Sequence, residues 1–168
     1  AAPMVRAQSV ADGVAEAFIA AHGLPGVSWA VRRASGEVFA GAAGYADLDT
    51  GEWMTPDHRM RVASVSKPIT AAMILTLEAE GSLSVGHRPL ASDGILGHLV
   101  PPDLAWQPLL DEITLDHLLC HTAGGWANDA PDPMLSFMDS DHADLIRLTL
   151  MTDGPDLLPG TAWGYSNF

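Results

Sequence analysis

The sequence predicts a mixed α/β (α+β) fold in which a helix and an antiparallel hairpin precede an apolar helix and a mainly helical region. Three observations predict it. Apolar residues recur at helical spacing over residues 8–22, they alternate along a segment starting at Val27, and a dense apolar run covers residues 69–77. We therefore place the helix, hairpin and apolar helix in residues 1–88, and the helical region in residues 89–168.

The first helix has Val10, Val14 and Phe18 on one face and stops at Gly23. Next, Val27, Trp29 and Val31 alternate with smaller or polar residues, as in a half-buried strand. The Ala34-Ser-Gly36 turn then predicts a second strand over 37–43.

The next element is predicted to be a helix over residues 64–80. Pro68 falls in its first turns, where a missing N–H does little harm, and Gly81 supplies a stop. Its apolar residues lie on all sides, so we expect this helix to be buried within a domain.

The rest of the chain alternates short apolar stretches with Pro and Asp, which predicts helices separated by long loops. One helix is expected near 115–121, behind Thr114 as N-cap, and another near 141–151. Asp139, Asp141 and Asp144 are expected to cap and flank the second of these helices, in preference to forming an acid–base pair or a calcium site.

Lys67 is the only lysine of the 168 residues, and the other seven of the eight Lys and Arg residues are arginines. It follows Ser64 at Ser-x-x-Lys spacing, at the start of the apolar helix. An arginine keeps its proton, whereas a desolvated lysine can lose it and act as a base. A stray surface lysine is the alternative, but it need not fall at this spacing.

The spacing also predicts the geometry of this motif. Positions i and i+3 share a helix face and side chains lean toward the N-terminus, so the Lys67 amine is expected to approach the Ser64 hydroxyl. The Ser64 N–H, free at the helix start, can point at a developing oxyanion. Ser66 is the second candidate nucleophile, but it faces another side of the helix.

Tyr165 and Asn167 stand two residues apart after the Pro159-Gly160 turn. On a loop, both can point into one cleft, where a phenol relays a proton and an amide binds a substrate carbonyl. Alone, this triplet is a weak signal.

Other patterns indicate structural roles. His117 and His121, beside Cys120, have helical metal-ligand spacing, and Asp129 and Asp132 follow; without a clear third ligand we favour a capping role and expect no metal.

The composition argues against several classes of binding partner. The net charge of −13 argues against nucleic acid or an anionic membrane as a partner. One cysteine excludes an intrachain disulfide, and no apolar run is long enough for a membrane span. No dinucleotide or phosphate-loop fingerprint is present, so no cofactor is expected.

Several segments together resemble the serine β-lactamase and penicillin-binding-protein superfamily, and most closely its class C β-lactamase-like branch. They are Pro25-Gly-Val-Ser-Trp-Ala-Val, Gly41-Ala-Ala-Gly-Tyr45-Ala-Asp, Arg61-Val-Ala-Ser64-Val-Ser-Lys67-Pro-Ile-Thr, Leu118-Leu-Cys-His121-Thr-Ala-Gly-Gly and the segment 159–167.

The resemblance implies an antiparallel sheet flanked by helices plus a helical lobe. It also implies Ser64 as acylated nucleophile, Lys67 as its proton acceptor, Tyr165 as proton shuttle and Asn167 as a substrate contact. Trp126 and Trp163 lie near these motifs, and Trp126 is our further candidate for substrate binding.

The family's third motif, Lys or His followed by Thr/Ser-Gly, does not follow Tyr165. We therefore expect residues 1–168 to be the N-terminal portion of a single β-lactamase-like domain. A complementary C-terminal polypeptide segment would cover the apolar helix and the edge of the hairpin.

Two functions are open. One is a serine hydrolase forming an acyl-enzyme on Ser64 and acting on a β-lactam, a D-peptide or amide, or an ester. The other is a non-catalytic relative that keeps the fold as a binding or assembly module.

Overall fold

A computed structural model describes residues 2–128, 132–137 and 139–168. The chain forms two compact units, the first ending at Val62 and the second running from Ala63 to Phe168. The apolar helix that follows Ser64 therefore belongs to the second unit, whereas our division of the sequence grouped it with the hairpin.

The first unit contains one helix and a three-stranded antiparallel sheet. Its elements are α1 (Ala2–His22), β1 (Gly26–Arg32), β2 (Val38–Asp47) and β3 (Glu52–Trp53), with strand order β1-β2-β3. Helix α1 packs on β1 and β2. The predicted helix and hairpin are confirmed, but the sequence did not predict β3, because two residues are too short to show alternation.

The hairpin register runs from Gly26 opposite Gly44 to Arg32 opposite Val38, and Gly36 takes a positive φ of 90° in the turn. Gly44 is also left-handed, and a Cβ there would collide with the carbonyl oxygen of Pro25, so only glycine fits. Within the described residues, β1 pairs with β2 alone and forms an edge of the sheet.

The second unit opens with a 3₁₀ turn that leads directly into the apolar helix, and short helices and loops follow. Its elements are the 3₁₀ turns Ala63–Val65 and Gly97–Leu99 and the helices α2 (Ser66–Ala79), α3 (Gln107–Leu110), α4 (Leu115–Leu119), α5 (Pro133–Ser136) and α6 (His142–Thr152). In the described ranges, none of the helices combines the length and apolar character needed to cross a membrane.

The predicted caps of α4 and α6 are confirmed. The Thr114 hydroxyl accepts the His117 N–H, and the His117 ring in turn accepts the Thr114 N–H, which makes a reciprocal capping box. The Asp141 carboxylate accepts the Asp144 N–H at the start of α6.

The core of the second unit is built from the region after α2. Its buried residues are Leu90, Leu110, Ile113, Ala123, Trp126 and Leu150. Helix α2 contributes none of them, and Ile69, Met73 and Leu75 are 57%, 63% and 53% exposed. The predicted burial of this helix is therefore wrong within the described residues, where its apolar side chains are covered only in part, as at Ala71 and Ile74.

Candidate active site

Ser64 lies in the 3₁₀ turn that leads into α2, and Lys67 lies in the first turn of the helix itself. The Lys67 ammonium donates to the Ser64 hydroxyl oxygen at 3.4 Å, as the i, i+3 spacing predicts. Ala63, directly before Ser64, adopts a left-handed φ of 44°, a conformation that costs a non-glycine residue about 1–3 kcal/mol. The serine thus sits on a strained turn.

The loop containing Tyr165 and Asn167 reaches the same point from the far end of the second unit. The Tyr165 hydroxyl donates to the Ser64 oxygen at 2.7 Å. The Asn167 carbonyl oxygen accepts from the Lys67 ammonium at 2.7 Å. The structure therefore brings together the four residues that the two motifs singled out.

The amide of Asn167 is held on both sides. Its nitrogen donates to the Asp132 carboxylate at 2.6 Å, while its oxygen faces Lys67. Its backbone N–H donates to the Asn128 side chain, and the Asn128 N–H donates to the Tyr165 carbonyl. A carboxylate can only accept, so the contact with Asp132 fixes which end of the amide faces the lysine.

The Lys67 charge acts on Tyr165. The hydrogen bond from Lys67 lowers the pKa of the Tyr165 phenol, and the bond to Ser64 lowers it further. Burial and the nearby Asp132 carboxylate oppose this shift. The ammonium also lies 4.8 Å from the centre of the Tyr165 ring. Tyr165 therefore ionises more readily than an ordinary tyrosine.

His121 lies beside this cluster. Its ring centre is 4.7 Å from that of Tyr165 and 6.4 Å from that of Trp163. Burial lowers the pKa of the His121 imidazole, and repulsion from the Lys67 charge lowers it further.

Trp126 is a core residue, 5% exposed, and its indole N–H donates to the Asp153 carbonyl. It lines a cavity of about 380 Å³ that Trp163, 68% exposed, also lines. The contacts of Trp126 are with the core and the Asp153 carbonyl, and its role in substrate binding stays a prediction. Ser66 is the first residue of α2. Of the two serines, Lys67 hydrogen-bonds to Ser64 within the described residues.

The candidate metal ligands have other partners. His117 caps α4, and His121 accepts the Ser166 N–H. The Cys120 thiol donates to the Asp116 carboxylate. Asp129 lies outside the described residues, and within the described ones no three acidic, histidine or cysteine side chains are grouped as metal ligands.

The Ser64 hydroxyl thus lies between an amine and a phenol on a mixed α/β fold, as the resemblance to the serine β-lactamase superfamily implies. The chain belongs to the Beta-lactamase family, which it matches over residues 11–168. The chain also has the β-lactamase fold. It contains only part of that fold, because it covers 40% and 38% of two similar solved structures.

The relatives have several activities by name. Esterase EstB of Burkholderia gladioli is 29% identical over 92% of this chain and 41% of its own length, and the D-aminopeptidase of Brucella anthropi is 29% identical over 85% and 26%. The D-amino acid amidase of Ochrobactrum anthropi SV3 with D-phenylalanine superimposes with a TM-score of 0.67, at 26% identity, over 92% of this chain and 39% of that one. The chain thus spans less than half of these proteins.

Asp132 and Asn128 were missed as supports of the site. Sequence reasoning considered Asp132 only as a metal ligand and did not consider Asn128. Their contacts with Asn167 span 35 and 39 residues, which no local spacing rule detects.

Proposed function

We propose that the complete protein is a serine hydrolase that forms an acyl-enzyme on Ser64. The observation that carries this proposal is the position of the Ser64 oxygen, 2.7 Å from the Tyr165 hydroxyl and 3.4 Å from the Lys67 nitrogen. A nucleophile within reach of two groups able to move its proton is typical of covalent catalysis. A binding module needs no such arrangement.

In the first step the Ser64 oxygen attacks the substrate carbonyl carbon as its proton passes to the Lys67 side chain. The lowered pKa of Tyr165 favours the ionised phenol, and this phenolate can take the same proton instead. The carbonyl π bond opens to an oxyanion, which backbone N–H groups stabilise. The Ser64 N–H is our candidate for one of these donors.

In the second step the carbonyl reforms and the bond to the leaving group breaks. The Tyr165 hydroxyl passes a proton to the departing nitrogen or oxygen and recovers one from its hydrogen-bond partner Lys67. Water then attacks the acyl carbon and gives a proton to the same pair; the bond to the Ser64 oxygen breaks, the pair returns that proton to Ser64, and the acid leaves.

We propose Asn167 as both a partner of Lys67 and a substrate contact. Its oxygen already accepts from Lys67, so the nitrogen is the end that can turn to a substrate carbonyl. Such a contact exchanges the bond to Asp132 for one to the substrate.

A polypeptide segment outside these residues is proposed to complete the site, either in the same protein or as a separate chain. Two observations support it: the apolar side chains of α2 are exposed, and the relatives extend far beyond the matched region. The missing Lys/His-Thr/Ser-Gly motif belongs to this segment by resemblance. Intact mass and size-exclusion chromatography of the purified protein test it; a monomer of 17.7 kDa that turns over substrate contradicts it.

The proposed substrates are an ester, a D-amino acid amide or peptide, or a β-lactam. The named esterase and D-aminopeptidase relatives support the first two. A turnover panel of p-nitrophenyl esters, D-amino acid anilides and nitrocefin separates the three.

Covalent labelling of the complete protein tests the mechanism itself. A fluorescent phosphonate or penicillin is expected to modify the Ser64 peptide, as mass spectrometry will show. Ser64→Ala is expected to abolish labelling, and the matched control Ser66→Ala to keep it. Labelling that survives the first change and vanishes with the second moves the nucleophile to Ser66, and a wild-type protein that never labels supports a non-catalytic binding module.

A further inference from the structure

We propose that His121 is a positioning residue that holds the Tyr165 hydroxyl on Ser64. This inference rests on the proposed function and adds a residue that neither motif contains.

Three contacts connect His121 to the chain around Tyr165. Its carbonyl accepts the Gly164 N–H at 2.9 Å, its Nδ1 accepts the Ser166 N–H at 3.3 Å, and its ring packs on the Tyr165 ring. One residue therefore fixes the backbone on both sides of Tyr165 and the face of its side chain.

The contact with Ser166 requires a neutral ring. A protonated imidazole carries hydrogen on both nitrogens and cannot accept, so Nδ1 must be bare and Nε2 must hold the proton. Burial and the Lys67 charge lower the His121 pKa, which favours this neutral form. Ser166 itself is 7% exposed, so its N–H has little access to water as a substitute partner.

The backbone of His121 agrees with a positioning role. It adopts a left-handed φ of 58°, which a histidine keeps only where its surroundings determine it. The loop that follows is bonded to the segment before Tyr165, because the Thr122 and Gly124 carbonyls accept the N–H groups of residues 156, 157 and 160. The strained residue thus joins two loops that are fixed to each other.

Correct placement of Tyr165 matters because proton transfer needs hydrogen-bond distance. A displacement of about 1 Å can lower the rate of a chemical step by about 10²-fold. A change in placement affects the chemical step and leaves initial binding of the substrate largely unchanged.

Four variants of the complete protein separate the ring from the acceptor. His121→Phe keeps a ring against Tyr165 but removes the acceptor. His121→Asn keeps an acceptor at the position of Nδ1 and tolerates positive φ, while His121→Ala removes both features. His142→Phe, at an exposed histidine of the same unit, is the matched control and is expected to label like the wild type, and Ser64→Ala reports on the proposed function.

The measurements are the maximal rate of phosphonate labelling, the half-saturating probe concentration, and the Tyr165 titration followed by phenolate absorbance. His121→Phe and His121→Ala are expected to lower the maximal rate by about 10²-fold with little change in half-saturation. The pKa of Tyr165 should rise in both, because its bonds to Lys67 and Ser64 loosen. His121→Asn should recover most of the lost rate.

Wild-type labelling rates and an unchanged Tyr165 titration in His121→Phe overturn the inference. If that variant does not fold, equal rates for His121→Asn and His121→Ala overturn it instead. Labelling that persists in Ser64→Ala refutes the proposed function, and the two failures are therefore distinguishable.

Discussion

Helices α2 and α6 lie in the same unit and are both rich in apolar residues, yet they are held in different ways. Helix α6 starts at the Asp141 cap and buries Thr149 and Leu150. Helix α2 follows the strained Ala63, has no side-chain cap at Val65, and buries none of its 14 residues in the described structure.

Different parts of the unit therefore stabilise the two helices. The cap and the core stabilise α6 from within the unit. Helix α2 is joined to the far end of the unit through polar contacts of Lys67 and Ser64 with Asn167 and Tyr165. The helix that carries the proposed chemistry thus has the less local support, as is common for functional elements.

The largest expected effect comes from Lys67. In the complete protein, Lys67→Arg should lower the acylation rate as much as Lys67→Ala, by about 10²–10⁴-fold. Arginine keeps the charge but cannot accept the serine proton. Stopped-flow acylation measures the rate. Loss of a base costs about 10²-fold or more in rate. If Lys67→Arg retains more than about a tenth of the wild-type acylation rate, Lys67 is therefore an electrostatic anchor and not a base.

A pair of core truncations tests whether α2 is covered in the complete protein. Leu150→Ala in α6 should cost about 2–5 kcal/mol of unfolding free energy, because that side chain is fully buried. Met73→Ala should cost a comparable amount if a further segment packs on α2. Denaturant unfolding measures both, and a cost below about 0.5 kcal/mol at Met73 contradicts the proposed segment.

A smaller effect is expected at the cap of α6. Asp141→Ala should lower the unfolding free energy by about 1 kcal/mol, since the Asp144 N–H loses its acceptor. Labelling of Ser64 should be unchanged, and the nearby Asp139→Ala serves as the control. A large loss of labelling in Asp141→Ala would show that α6 also supports the active site.

The smallest expected effects are two shifts of the Tyr165 pKa, in opposite directions. Lys67→Ala should raise the Tyr165 pKa, because the ammonium that stabilises the phenolate is gone. Asp132→Asn should lower it, because a negative charge that opposes ionisation is removed. Phenolate absorbance, taken as a difference against Tyr165→Phe, follows both, and shifts of the same sign would contradict this electrostatic account.

The parts of the fold that depend on local pattern could be predicted. The alternation at Val27, the Thr114 cap and the Gly81 stop each depend on neighbours a few residues away, and all agree with the structure. The exposure of α2 among the described residues could not be predicted, because apolar side chains show only that a surface can be covered. The two-residue β3 gave no periodic signal.

The same distinction holds at the site. The approach of Lys67 to Ser64 follows from helix geometry, and the structure agrees with it. The support from His121 and Asp132 could not be predicted, because it depends on which loops meet in space. For His121, the sequence suggested only a capping role, and the positive φ that marks the residue is visible only in three dimensions.

The bond between Tyr165 and Ser64 joins positions 101 residues apart. During synthesis, the serine leaves the ribosome long before the tyrosine exists, so the nascent chain carries an unactivated hydroxyl. Closing a loop of this length also costs entropy that only a largely folded unit can offset. The proposed reactivity of Ser64 is therefore expected only after the second unit has folded, so a covalent probe of this serine would label folded molecules and leave unfolded ones unlabelled.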